Sequence, residues 1–205
     1  MSEPSEVPGW GVLSAVAAPV LLIGGWTLAA ASQESGFDQV SGTISALAAL
    51  DADQRWVMTA AIAGTGLCHA VTALALRRAS VPGRWWYAAG GLATAAVAVF
   101  PLPAGGSEGG APLHVLAASA AFGLLGTWPL AERLARGRRA DRSLPWGLRT
   151  PAVAGASIAL LGTLAWFAVE LGGDRVGLAE RVAAAAQACW PLVVVLSARA
   201  ARRPV

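Results

Sequence analysis

Three short polar stretches hold the side chains of this sequence that could do chemistry. The first runs from Gln33 to Asp51 and contains Asp38 and Ser45, the second begins at His114, and the third contains Glu170, Glu180 and Arg181. Asp38, Glu170 and Glu180 would act as acceptors, Arg181 as an anion anchor and Ser45 as a small donor. His114 is the one group whose protonation would change near neutral pH. The set suits recognition of a lipid, an amphipathic small molecule or a membrane-protein partner. It also suits acid–base work on a lipid or isoprenoid, with His114, Glu180 and Asp38 as catalytic candidates. A structural or accessory role without a ligand is the third reading, because charge in a loop is normally a wetted surface. Binding or catalysis predicts a cavity lined by at least three of these residues. A purely structural network predicts that they pair with one another.

Other chemistries fit less well. A catalytic zinc needs three clustered ligands, and only one histidine accompanies the acidic stretches, so no metal is expected. Nor is any cofactor: a haem held by both histidines is excluded by depth, since His69 follows Arg55 by 14 residues and would sit roughly 21 Å into a helix. No G-x-S-x-G occurs; Gly155-Ala156-Ser157-Ile158-Ala159 lacks the last glycine. The run Gly105-Gly106-Ser107-Glu108-Gly109-Gly110 lacks the lysine of a phosphate loop and reads as a flexible turn. Cys68 and Cys189 fall in apolar windows without paired spacing and read as small core residues.

The elements that must position these residues are hydrophobic. Of 205 residues, 56% are hydrophobic and 13% charged, about half the charge of an ordinary soluble domain. Six windows lack charge and are long enough to span a bilayer: 10–32, 56–76, 85–103, 113–131, 150–169 and 182–198. The expected fold is all-α, a single domain over residues 1–205 made of six transmembrane helices. The window at 10–32 is too long for a secretory signal core, and no basic residue precedes it, so it reads as a retained span. Pro101 and Pro103 should break the third window's last turn, and Pro191 should kink the sixth.

Arginine sets the topology. All 15 basic residues are arginine. With a cytoplasmic N-terminus, the inner segments carry Arg77, Arg78, Arg84, Arg133, Arg136, Arg138, Arg139, Arg142, Arg149, Arg199, Arg202 and Arg203. Only Arg55, Arg175 and Arg181 are left outside. The positive-inside rule therefore places both termini in the cytoplasm and the acidic stretches on the opposite side. The net charge of +3 and pI near 9.6 do not imply nucleic acid, because the arginines form no basic-aromatic surface. Membrane lipids are the expected partners.

After Gly42, Ile44, Leu47 and Leu50 recur at every third position, which predicts a short amphipathic helix at the membrane surface or tucked between span ends. Asp51 and Arg55 are spaced for a local ion pair. Arg181 should have a carboxylate partner such as Asp38 or Glu170. Ala60-x-x-x-Gly64, Gly90-Gly91, Gly123-x-x-Gly126 and Ala183 to Ala186 should let helices approach closely. Ionisable groups near the midplane are scarce, His69 with neutral Gln187, which disfavours ion-coupled transport.

Three motifs carry a resemblance. They are Gly36-Phe37-Asp38 with Thr43-Ile44-Ser45-Ala46-Leu47; Phe100-Pro101, then a glycine-rich turn and His114 with Ala117, Ala118 and Phe122; and Gly177-Leu178-Ala179-Glu180-Arg181 with Trp190. In this order and spacing the chain resembles the bacterial membrane family known as domain of unknown function 998, from its first span to its sixth. The resemblance implies a multi-pass protein of a bacterial inner membrane and assigns no activity.

Overall fold

The computed structural model describes residues 7–106, 108–137 and 143–201. Ser107, Arg138, Arg139, Arg142, Arg202 and Arg203, which entered the readings above, lie outside the described residues. The described chain is all-helical: α1 Gly9–Ala31, α2 Arg55–Ala75, α3 Val81–Val99, α4 Pro112–Arg136, α5 Thr150–Val169 and α6 Val176–Ala200. Five of these, all but α3, are long and apolar enough to cross a membrane by length and composition. At 19 residues α3 is the shortest, and it spends its first turns on Arg84, Trp85, Trp86 and Tyr87. It nevertheless packs against α2 on one side and α4 on the other.

Helix ends differ from the charge-free windows where polar residues found partners. α6 begins six residues before its window, so Glu180 and Arg181 lie within its first two turns and both are buried. α4 continues past Pro129 to Arg136 and includes the buried Glu132. α3 begins at Val81, behind a Ser80 cap whose side chain accepts from the Gly83 N–H, and stops at Val99 before Pro101.

Consecutive helices pack against one another and α6 returns to α1, closing a ring. One end of it carries the described start of α1 and the end of α6; the loops after α1, α3 and α5 gather at the far end. The α2–α3 contact is backbone on backbone. A Cβ on Gly66 would lie 2.5 Å from the Gly91 carbonyl oxygen, and one on Gly91 would lie 2.7 Å from that of Gly66. Gly90 and Gly126 likewise sit against Leu125 and Gln187, whereas Gly123 faces open space and makes no such approach. One apolar cluster surrounds Tyr87, Trp128, Leu76 and Val194, and a second surrounds Trp26, Leu47, Met58 and Ile62. α5 is the least covered helix, with Ile158 76% and Val169 82% exposed.

The segment after Gly42 forms only a single 3₁₀ turn, Ser45–Ala48, not a longer helix, and of the two expected positions, on the membrane surface or between span ends, it takes the second. Ile44 and Leu47 are both buried in the second cluster, and Leu50 alone is exposed. The every-third spacing marked residues plugged between helix ends. Nor do Asp51 and Arg55 pair: Asp51 accepts from the Gly105 N–H at 2.8 Å, and Arg55 lies over the Trp56 ring at 3.9 Å.

Candidate functional site: the far end and the cavity beneath it

The loop that follows α1 is clamped onto the start of α6. Asp38 closes a turn by accepting from the Val40 N–H at 2.9 Å and the Ser41 hydroxyl at 2.8 Å. The Val40 N–H first, then the Ser41 hydroxyl, with Arg181 assisting, hold the exposed Asp38 carboxyl below the usual aspartate range. The Val40 carbonyl accepts from Leu178 N–H at 2.9 Å. Glu180 accepts from Ile44 N–H at 2.5 Å. Arg181 donates through Nη1 to the carbonyls of Gln39, Gly42 and Gly177 at 2.9, 2.7 and 2.9 Å. Gly177 permits this approach, since a Cβ there would meet the Gly42 oxygen at 2.1 Å.

Arg181 therefore differs from expectation. Backbone carbonyls hold it, not a carboxylate of Asp38 or Glu170. The residue is 7% exposed and its Nε and Nη2 are buried without a hydrogen-bond acceptor. Its guanidinium carbon lies 6.0 Å from the Trp26 ring centroid and 5.7 Å from that of Phe37. Ring faces attract the cation but do not satisfy two N–H edges.

The remaining candidates separate. His114 is buried near the start of α4, with Nδ1 2.7 Å from the Phe100 carbonyl oxygen. A carbonyl only accepts, so Nδ1 carries the proton and His114 ties α4 to the end of α3. Glu170 caps the end of α5 and accepts from Trp166 Nε1 at 3.2 Å. A cavity with about 70 Å³ of water-sized space lies inside the ring, and of the six candidates Ser45 and Glu180 line it. That is two rather than three. The far end is thus partly a structural network and partly the roof of a cavity.

The rest of that cavity was missed. Its polar lining comes from Thr65 and His69 of α2, Thr94 of α3 and Gln187 of α6. His69 Nδ1 lies 2.8 Å from the Tyr87 hydroxyl, and Tyr87 stacks on Trp128 at 4.6 Å. Heptad-like spacing could have placed Thr65, His69 and Thr72 on one helix face, but nothing in the sequence aligned that face with Glu180. A second omission is Glu132 at the opposite end. It is 1% exposed, accepts from the Ser80 N–H at 2.9 Å and hydroxyl at 2.6 Å, and pairs with Arg136. The i, i+4 spacing of Glu132 and Arg136 after an apolar window was the available signal.

The three sequence motifs are thus halves of spatial pairs. Asp38 to Ile44 meets Gly177 to Arg181, and Phe100 meets His114. A family model described as "Protein of unknown function (DUF998)" matches residues 15–197, which takes in every one of these contacts. The chain belongs to that family. No curated protein and no solved structure matches it. As a DUF998 protein it is an all-helical chain whose apolar helices are those of a multi-pass membrane protein.

Proposed function

We propose that this DUF998 protein spans the membrane six times with both termini in the cytoplasm. On this reading its extracytoplasmic end recognises an amphipathic molecule whose phosphate or carboxylate is held by Arg181. α3 counts as the sixth span because it runs the length of the ring between two apolar neighbours, and twelve of fifteen arginines then fall inside. The observation that carries the recognition reading is the unfilled edge of Arg181. Nε and Nη2 form the side of a guanidinium that fits two oxygens of one anion in parallel. Leaving such an edge buried and unmatched costs about 1–3 kcal/mol or more. An anion would recover that cost on binding.

Phe37 is the half-buried ring over this edge, and Gly36 before it has φ +79°. Swinging Phe37 aside would open Arg181 while Nη1 keeps its three carbonyls. The apolar tail would lie along the exposed helix faces, since about 70 Å³ is far below the several hundred a lipid-sized ligand fills. The test uses purified protein in neutral detergent with monododecyl phosphate as the probe and dodecyltrimethylammonium as the control. The phosphate should raise the unfolding temperature of the wild type and not that of Arg181→Lys, which keeps a donor for the carbonyls but loses the fork. Equal shifts in both proteins, or none in the wild type, would refute the assignment.

A further inference from the structure

The cavity has a second feature that anion recognition does not use. Glu180 and Ser45 stand at its far-end wall, and His69 stands deep in the ring on α2. The hydroxyls of Thr65 and Thr94 donate to the carbonyls of Ala18 and Gly90, and the Gln187 amide donates to that of Phe122. With their protons committed, the Thr65 and Thr94 hydroxyls keep acceptor lone pairs for the cavity. A space of about 70 Å³ with this lining has room for several waters, each needing about 10–15 Å³ by this measure and two or more polar partners.

Below the cavity the polar line continues. His69 Nδ1 bonds the Tyr87 hydroxyl at 2.8 Å, and Tyr87 meets the Thr72 side chain. Thr72 Oγ1 lies 2.8 Å from Ser14 Oγ, which donates to the Gly11 carbonyl at 3.1 Å. None of His69, Tyr87, Thr72 and Ser14 is more than 8% exposed. Glu180 is five residues into α6 from the far end, while Thr72 is three residues before the last of α2 at the opposite end. Ser14 is five residues beyond the start of α1, about 7 Å of helix. The line thus covers nearly the whole length of the ring, through a core that is otherwise apolar.

We propose that this line is a proton path. Glu180 takes a proton from far-end water, and water in the cavity passes one from its carboxyl group to His69 Nε2, the ring nitrogen that Tyr87 leaves for the cavity. Nδ1 then gives its own proton to the Tyr87 oxygen as the Tyr87 hydroxyl proton moves to Thr72, Thr72 passes one on to Ser14, and Ser14 releases its own to water at the opposite end. Each group gains one proton and loses one, so none changes net charge, and no oxidant or co-reactant is required. The titratable groups facing His69 are Tyr87 from α3 and Glu180 from α6 across the cavity; Cys68 adjoins it on α2. α1 and α4 contribute Leu22, Ala118, Ala121, Phe122 and Leu125, which are apolar. Trp128, stacked beneath Tyr87, has a buried indole N–H with no acceptor and can steady a water beside the pair.

This inference rests on the membrane-spanning reading but not on the anion site. The test is reconstitution into phosphatidylcholine vesicles containing the pH dye pyranine. A potassium gradient with valinomycin sets the potential, and flotation is scored separately to establish insertion. Wild-type vesicles should change internal pH at least tenfold faster than protein-free ones. Tyr87→Phe keeps the ring on Trp128 and removes the hydroxyl; Thr72→Val keeps the shape and removes the other. Whichever of the two floats and retains the wild-type unfolding temperature should lose most of the added flux. A wild-type rate equal to that of protein-free vesicles, or an unchanged rate in a folded variant, would overturn the proposal. Failure to float would sink the spanning reading instead.

Discussion

Replacing Gly177 by alanine should free the first far-end loop while leaving the helices in place. A Cβ at this position would sit 2.1 Å from the Gly42 oxygen and 3.0 Å from Arg181 Nη1. Backbone lies on both sides of the clash, so the loop must retreat by roughly 1 Å, a shift of the size that overpacking forces elsewhere. Bonds of 2.7–2.9 Å from Arg181 and Leu178 to that loop would then pass beyond hydrogen-bond length. One is a neutral backbone bond, and two involve a guanidinium. At about 1 kcal/mol for a neutral bond and 1.5–3 for a charged one, with partial recovery by water, the clamp loses about 2–4 kcal/mol.

Hydrogen exchange reads this directly. Leu178 is the third residue of α6 and has no intrahelical acceptor for its N–H, so its protection reports the bond to Val40. Ile44 N–H reports the bond to Glu180. A loss of 2–4 kcal/mol corresponds to exchange at these two amides about 30- to 700-fold faster. Gly155→Ala is the matched control, because nothing lies within 4 Å of its added carbon and alanine favours a helix there by up to about 1 kcal/mol. Exchange at Ile44 and Leu178 within about threefold of wild type in Gly177→Ala would show that the clamp does not hold this loop.

Two further outcomes follow from charge. Asp38 has its folded-state pKa depressed below 3.8 by the Val40 N–H and the Ser41 hydroxyl, so its contribution is present above the unfolded value and lost as pH falls through the folded one. Acidification from pH 5 to 3 should therefore lower the protection factor of the Val40 amide, its rate taken relative to the intrinsic rate at each pH, in the wild type and not in Asp38→Asn; an identical protection profile in both proteins would contradict it. Glu132→Gln removes the carboxylate partner of Arg136, which keeps the Arg78 carbonyl, and weakens two contacts to Ser80 in a site 1% exposed, and should cost about 2–4 kcal/mol. Thermal unfolding should show this as a lowered midpoint, and Glu132→Gln with Arg136→Gln should cost less than the sum of the two; strict additivity would mean that the pair is not coupled.

The helices were legible because their signal is local. A charge-free run of twenty residues is readable without knowing its neighbours, and 150–169 coincides with α5 residue for residue. Boundaries failed where a charge found a distant partner. The sixth window stopped at Val182 because it admits no charge, yet Glu180 and Arg181 are helical and buried since the loop 39–44 caps them. Ile44 and Leu47 were recognised as apolar at every third position, but the choice between the membrane surface and a place between span ends stayed open, since sequence carries no sign of what lies above them. The cavity was not legible at all. Glu180 and His69 are 111 positions apart in the chain, and only the packing of α6 against α2 brings them to one space.

On the anion-recognition reading proposed above, Arg181 would serve the fold and a ligand at once. Packing between helices in lipid gains little from hydrophobic burial, so orientation depends on close glycine contacts and on polar staples at the ends. Nη1 alone provides the staple, reaching three carbonyls of two separate segments. A lysine could place a charge there without a second donor edge. Arginine brings a second, rigidly oriented edge, and in this chain that edge is buried without an acceptor. A residue chosen only to fasten a loop would not carry an unmatched fork into the protein interior, where each unpaired donor opposes folding. The fork is therefore the part of the far end that stability does not explain, and an incoming anion is the chemistry we propose for it.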